Sequence, residues 1–495
     1  MLSQVRERHE PKRLNLSLCW FFISQTIATI TGWAIVSGEQ IFRAFGLGAV
    51  TLGMLIPLAA SLEAGLMAMI IFEPFRGFLR RLQYLIVPYS QSEPIHLITP
   101  IITFFAFLLV LQRKKLALFY ETPLAIPVTI LAFICFLHVF NPLQGSLFVG
   151  FSGAMYYLVP MAWFYFGQEA KPEFFPKILR LIVFLGIICS LWGVYQMVVG
   201  YPGFELYWIE NTDHYASIAV YNVKRALATF SNAEEWGRYV LLGSLVAFGL
   251  GMSKTEGAKR GLWFVCALTL CGMLALTGQR SSIFGLFLGL FVLFLTGAKS
   301  LGSAVSRILL LCAPFVLALV LSGSVADDGA SDLDEGDGIN TMITHTKKGT
   351  VNPAGEGSLE ARFETWTDVV TNIIPSNPVG AGLGASTVSA ARDTSDDRPI
   401  DNHFLSLAVS AGVPALLLLV WILFRAVSIC IRLWRECEPD SVEFSNWRIA
   451  MALLSSFILN NFFGTSFVIY SVAPIGWLLL GWISAKAAES SLKSD

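Results

Sequence analysis

The sequence predicts an all-α polytopic membrane protein: a transmembrane helix bundle of about 12–14 spans, with one long extracytoplasmic loop between two late spans. Three observations predict it. Of 495 residues, 55% are hydrophobic and only 14% are charged, whereas a water-soluble domain carries nearer a quarter charged residues. The mean hydropathy is +0.64. Apolar runs of the length that crosses a bilayer core recur along most of the chain, interrupted by one large polar insert over 323–402. The 38 Phe and 13 Trp argue against a disordered chain. The net charge of −1 argues against a nucleic-acid binder, which needs a strong basic excess.

The apolar runs place spans at 14–36, 45–72, 76–90, 95–112, 122–140, 147–166, 178–199, 237–252, 261–277, 281–296, 308–322, 403–424, 449–466 and 470–485. Leu14 to Val36 is too long for the apolar part of a cleavable signal and reads as a first span. The second run is long and contains Pro57 and Glu63, which fits two helices as well as one. The third is the weakest, with Arg76, Arg80 and Arg81 near one end and Pro88 cutting it short. The chain then divides into an N-terminal bundle (1–322), the long loop (323–402) and C-terminal helices (403–495).

Orientation follows from Lys and Arg in the short loops. Arg6, Arg8, Lys12 and Arg13, then Arg113 to Lys115, Lys254, Lys259 and Arg260, Lys299 and Arg307, Arg425, Arg432 and Arg435, and Lys486 and Lys493 all fall on one side if spans alternate. That side is then the cytoplasm, with both termini on it. Two longer polar segments, Gly200 to Trp236 and Gly323 to Asn402, face the other way. The second begins with Asp327, Asp328, Asp332, Asp334, Glu335 and Asp337, an acidic stretch to which no role is assigned. Residues 323–357, rich in Gly, Asp and Thr, predict a flexible stretch. Residues 358–375 predict an amphipathic helix resting on the bundle, with Leu359, Phe363, Trp366, Val369, Val370 and Ile373 on its apolar face and Arg362 roughly opposite. Pro378 to Gly384 is glycine-rich, but no strand precedes it, so it reads as a flexible turn rather than a nucleotide fingerprint. The eight cysteines lie mostly in apolar runs without C-x-x-C spacing and read as packing residues, not as a metal site or disulfide framework. The motifs of soluble nucleotide-binding, zinc-protease and serine-hydrolase sites are missing, and no internal repeat stands out.

The informative residues are polar groups at the outer ends of spans: Arg225, Arg280, Arg362 and His403. Each also has a structural reading. Interfacial arginines often reach lipid phosphate, and a histidine at a helix start more often caps or packs than reacts. Asn402 or Asp401 would cap that helix as well. Arg280 is hardest to dismiss, because it lies against the charge trend in a turn too tight to be a solvated loop. Together, several arginines and one histidine suit a lipid diphosphate. Arginine offers a rigid, permanently charged fork that matches phosphate oxygens. A diphosphate leaving from a sugar gathers negative charge that fixed arginines stabilise without a metal. The acceptor hydroxyl must lose its proton, and a neutral His403 can take it, with neighbouring arginines disfavouring the imidazolium.

The residues also resemble a family. Arg280-Ser281-Ser282 opening a helix, Arg362 followed by Trp366, Pro378-x-Gly-x-Gly-x-Gly, and Asn402-His403 followed by Leu405, with Gly412 and Leu416 beyond, resemble the bacterial O-antigen ligase and polymerase superfamily. Ala228 to Asn232 and Glu73-Pro74-Phe75-Arg76 add to the likeness, and the sharp motifs lie between 220 and 420. The resemblance implies a membrane glycosyltransferase of the bacterial inner membrane that needs no metal or other cofactor. It would move a glycan from undecaprenyl diphosphate onto a lipid A core, as ligases do, or onto a lipid-linked repeat unit, as polymerases do. His403 would be the base, and Arg280, Arg362 and Arg225 the diphosphate contacts; Lys224 or Arg238 could fill the role of Arg225. The rival class is a transporter or flippase of lipid-linked saccharides, which should carry charges mid-span, where Glu63 is the clearest. The enzyme reading requires the scattered guanidiniums to gather beside the imidazole in a pocket open toward the periplasm.

Overall fold

The computed structural model describes residues 41–90, 93–212, 219–220, 223–298, 302–303, 306, 358–386 and 400–494. The expected spans 14–36 and 308–322, the acidic stretch 327–337, Cys19, Cys312 and the side chain of Lys224 lie outside the described residues. The described chain is built from α-helices: α1 (Ile41–Ala60), α2 (Leu62–Leu82), α3 (Ile98–Lys114), α4 (Ala125–His138), α5 (Leu147–Glu169), α6 (Phe174–Val198), α7 (Gly203–Asn211), α8 (Ala233–Met252), α9 (Arg260–Leu276), α10 (Arg280–Thr296), α11 (Ser358–Asp368), α12 (His403–Glu436), α13 (Val442–Phe462) and α14 (Ala473–Ser494). Extended pairing among the described residues is one ladder, Ala219–Val220 against Val223–Lys224. An all-helical chain is what a bilayer demands, because only helices and closed barrels satisfy every backbone polar group internally.

Among the described residues, five helices are long and apolar enough to cross a membrane: α3 with its flanking turns (Pro94–Phe119), α5, α6, α9 with the turn before it (Lys254–Leu276), and α12. Large side chains point both ways on them. Trp163, Phe164 and Phe166 are buried, while Phe104, Phe184, Leu268 and Phe424 are exposed, as on a lipid-facing surface. The tightest helix pair is α5 with α14. There a Cβ on Gly481 would lie 2.0 Å from the Phe164 carbonyl oxygen, and one on Gly167 2.3 Å from that of Leu478. Small residues let two membrane helices meet backbone to backbone in this way.

The long apolar run 45–72 divides into two helices at Ser61, whose Oγ accepts the Ala64 N–H at 3.1 Å. The expected separate span 76–90 is corrected: residues 76–82 complete α2. Arg76 and Arg81 are tolerated within that helix because each finds acidic partners, described below. Glu63 sits in the first turn of α2 beside the break, half-buried, so it is not a mid-span charge.

Ion pairs tie helix ends together away from the glycine-rich loop. Lys114 meets Glu169 at 3.1 Å and Lys254 meets Asp440 at 2.6 Å. Arg448 caps α10 at the same end, donating to the Leu293 carbonyl at 2.6 Å, where a cation favours the helix dipole. The six described cysteines are unpaired, four of them buried.

The glycine-rich segment is not a flexible turn. It packs into a break in α12 at Gly412 (φ 86°, ψ 168°). Pro414 cannot donate to the Ser410 carbonyl; Gly382 N–H does so instead at 3.1 Å, and Ala381 N–H reaches the Val409 carbonyl at 2.8 Å. Val413 N–H donates to Pro378 at 2.9 Å, and Leu383 N–H to His138 at 3.0 Å. A Cβ on Gly412 would lie 2.1 Å from the Val379 oxygen, and one on Gly380 (φ 110°) 2.6 Å from Gly412 N. The glycines are there for close approach and for positive φ.

Candidate active site

The site is assembled around the first turn of α8. Asn232 caps that helix, accepting the Glu235 N–H at 2.8 Å. Glu234 and Glu235 occupy the first turn, where the helix dipole favours anions. Four residues on, Arg238 pairs with Glu234 and donates from Nη1 to Ser466 Oγ at 2.8 Å. Its Nε is buried without a partner among the described residues.

The segment before α8 carries Arg225 and is fixed by α2 and α6. The Thr229 carbonyl takes the Phe78 N–H at 2.7 Å, and its hydroxyl donates to the Pro74 carbonyl at 2.7 Å. These two groups would be each other's partners in an uninterrupted helix. Arg81, fully buried, donates to the carbonyls of Phe230 and Ala228 at 2.5 Å each and to Glu205 at 2.8 Å. Gln196 accepts the N–H groups of Leu227 and Ala228 at 3.0 and 2.8 Å. Ala228 is thereby held at φ 50°, a conformation that costs a non-glycine residue about 1–2 kcal/mol.

So anchored, Arg225 donates to the Thr277 carbonyl at 3.0 Å, in the tight turn that leads into Arg280. That turn lies against α8, where a Cβ on Gly237 would meet Gln279 at 2.8 Å. The Arg280 charge acts on Arg225. Burial is the largest influence on Arg225 and lowers it, with Arg280 adding to the effect and Glu234 opposing it. Arg225 Nε is also buried and has no partner among the described residues.

Arg362 comes from α11, and its placement corrects an expectation. The expected apolar face does not dock as a unit. Arg362, Thr365, Trp366 and Val369 turn toward the bundle, while Phe363 and Val370 are each 53% exposed. Beyond Asp368 the helix widens into a π turn over Val369–Ile373 before ending at Ser376. Arg362 pairs with Asp401 at 3.0 Å. Burial pushes the Asp401 carboxyl up; Arg362 pulls it back, and Glu234 pushes it up again. Arg238 lies within electrostatic reach of both Arg362 and Asp401.

His403 is the first residue of α12, with Asn402 as the cap, accepting the Leu405 N–H at 3.1 Å. The His403 N–H donates to the Gly464 carbonyl at 2.9 Å. Gly464 in turn lies under Arg238, whose Nη2 would be 1.7 Å from a Cβ there. Arg238 is the charged group that acts on His403. The structure thus brings Arg225, Arg280, Arg238, Arg362 and His403 to one end of the bundle, interleaved with Glu234 and Asp401. It does not leave the imidazole open. His403 is 2% exposed and enclosed by the rings of Tyr157, Phe467 and Phe404. A small cavity of about 10 Å³, room for one water, lies behind Arg238, lined also by Ser456, Asn460 and Ser466.

Beside this cluster lies a second one, of which the sequence had singled out only Glu73 and Arg76, as part of the family likeness. Arg76, buried in α2, bonds Glu73 at 3.0 Å and His96 at 2.6 Å, approaches Glu235 at 3.8 Å, and lies over the Tyr470 ring at 5.2 Å. Thr99 donates to Glu73, and Glu93 joins Arg80 and Tyr84. The i, i+3 spacings of Glu73 with Arg76 and of Glu93 with His96 were available signals, as was the i, i+4 spacing of Glu234 with Arg238; Arg81 and Glu205 are 124 positions apart and carry none. Among the described residues, no three His, Cys, Asp or Glu side chains gather as a metal site would require.

Residues 264–420 match the family described as O-antigen ligase, while no curated protein matches the chain. The match takes in Arg280, Arg362 and His403 and about a third of the chain; Arg225 and Arg238 precede it. With this helical bundle and these motifs in their expected order, the match supports the chain's likeness to the O-antigen ligase and polymerase superfamily of membrane glycosyltransferases.

Proposed function

We propose that the protein transfers a glycan from undecaprenyl diphosphate to an acceptor hydroxyl at the periplasmic face of the inner membrane, without a metal ion. The observation that carries this reading is that Arg225, Arg238, Arg280 and Arg362 lie at the end of the bundle that carries His403, Arg238 acting on its imidazole, with two guanidinium Nε atoms buried and unpartnered among the described residues. The basic residues at the opposite helix ends support a cytoplasmic location for that end. In the reaction, the rings that enclose His403 must first part to admit the acceptor; the acceptor oxygen then attacks the anomeric carbon and its proton passes to the His403 imidazole. The bond from that carbon to the diphosphate oxygen breaks, and its electron pair stays on the leaving diphosphate. The arginines stabilise this growing charge from fixed positions, which is the electrostatic form of catalysis. Lipid A core and a lipid-linked repeat unit are both acceptors that fit.

The break in α12 favours a second reading, transport of the lipid-linked saccharide, since transporters use broken helices at their binding sites. Against it, the break is filled by the backbone of residues 380–384 rather than lined by charged groups. The test is purified protein in liposomes with an undecaprenyl diphosphate-linked glycan and each acceptor in turn. Wild type should form product and His403→Ala should form none while still inserting normally. Wild-type product from that variant removes His403 as the base, and lipid translocation without transfer by wild type establishes the second reading.

A further inference from the structure

We infer that Tyr157 is a positioning residue that sets the plane of the His403 imidazole; this rests on the reading of His403 as the proton acceptor. Histidine bases are ordinarily oriented by a hydrogen bond to the second ring nitrogen. His403 Nδ1 is buried and has no partner among the described residues. Ring packing supplies the orientation instead. Tyr157, from α5, is 3% exposed, and its ring lies 5.9 Å from the imidazole at 25°, nearly parallel.

The tyrosine is itself clamped. Its hydroxyl is 2.9 Å from Ser406 Oγ. Ser406 meets Ser386 Oγ at 2.7 Å, and Ser386 meets Ser410 Oγ at 2.6 Å. His403, Ser406 and Ser410 are spaced i, i+3, i+7 and share one face of the helix. The clamp therefore holds the Tyr157 hydroxyl one turn below the ring that Tyr157 covers. Ser386 follows the glycine-rich segment, which is bonded to the Val409 and Ser410 carbonyls at the helix break. The break, the glycine segment and the serines thus fix the position of Tyr157. The hydroxyls are occupied by one another, and Tyr157, Ser406 and Ser410 are buried with Ser386 half-buried, so the cluster is not arranged to receive a sugar.

The chemical consequence is geometric. A base acts only within hydrogen-bond reach of the proton it takes, and a misplacement of about 1 Å costs on the order of 10²-fold. The ring of Tyr157 should therefore matter to turnover and not to donor binding. The experiment measures kcat and donor KM for Tyr157→Phe, Tyr157→Leu and Tyr157→Met in the liposome assay, with His403→Ala alongside. Tyr157→Phe keeps the ring and its packing but loses the clamp, worth about one hydrogen bond, and should retain kcat within about fivefold. Tyr157→Leu should lose roughly 10- to 100-fold in kcat with KM nearly unchanged. Tyr157→Met also lacks the ring but is unbranched and adaptable; it stands in if the leucine variant does not fold, with the same loss expected. Wild-type kcat in the folded leucine or methionine variant overturns the inference, as does a loss confined to KM or an equal loss in Tyr157→Phe. Activity in His403→Ala overturns the underlying reading instead, so the two failures are distinguishable.

Discussion

The Arg362–Asp401 pair separates a structural from a catalytic role for Arg362, and the structure sets the size of each effect. The two side chains are 38% and 45% exposed and meet through one contact of 3.0 Å. A pair so open to solvent contributes about 0.2–1 kcal/mol, at most about fivefold in any step that depends on it. A preorganised donor to a developing anion is worth about 2.7–4 kcal/mol, or 10²–10³ in rate. If Arg362 serves the leaving diphosphate, Arg362→Ala should lose roughly 100- to 1000-fold in kcat, while Asp401→Asn stays within about fivefold. Arg362→Lys should resemble the alanine variant, because a lysine point charge does not reproduce the guanidinium fork.

The assay is single-turnover transfer from the lipid-linked donor in liposomes, with the double variant Arg362→Ala/Asp401→Asn completing a cycle. The double variant should match Arg362→Ala alone. If Asp401→Asn falls as far as Arg362→Ala, the arginine acts by holding Asp401 and its loop, and its assignment to the diphosphate is refuted.

Three further outcomes are expected. Arg280→Lys should lose about 10²-fold or more; a near-normal rate would make Arg280 an anchor to lipid phosphate. Transfer should persist in chelator, and activity that disappears with EDTA and returns with a divalent ion would overturn the arginine-only mechanism. Arg81→Met should strand the buried Glu205 charge and destabilise the fold by about 3–5 kcal/mol, read as a lowered melting temperature in detergent; an unchanged Tm would show that the 225–232 segment is held without it.

The helical class and most helix positions were legible because apolar runs of spanning length need no partner to be recognised. Orientation about a helix axis was not. In α11, Phe363 and Val370 share the apolar character of Val369 and Ile373 yet face outward. At a membrane surface, the bundle and the lipid boundary are both apolar, so periodicity alone does not say which face docks. The glycine segment misled for a related reason. Composition reads Gly380, Gly382 and Gly384 as freedom, whereas each is a point of contact with a partner remote in sequence. The candidate arginines were found from their places at span ends, but the residues that hold them were not. Arg81, Gln196 and Thr229 make their decisive bonds to groups far along the chain, and a single sequence carries no record of such pairs.

The first turn of α8 explains how motifs so far apart come to share one site. Glu234 and Glu235 are adjacent but point into different clusters: one to Arg238, the other to Arg76. The helix N-terminus supports both charges. Through Arg238 and Gly464 the turn reaches the backbone of His403; through Arg76 and the Thr229 clip it is bound to α2. Arg225 hangs from the same anchored segment and touches the turn that carries Arg280. The first turn of α8 is therefore linked at once to the proposed base and to Arg238 and Arg225. That is what a site needs if its catalysis depends on charges already in place when the sugar leaves, and it places the rigidity in a buried ionic framework behind the site rather than in the residues that meet the substrate.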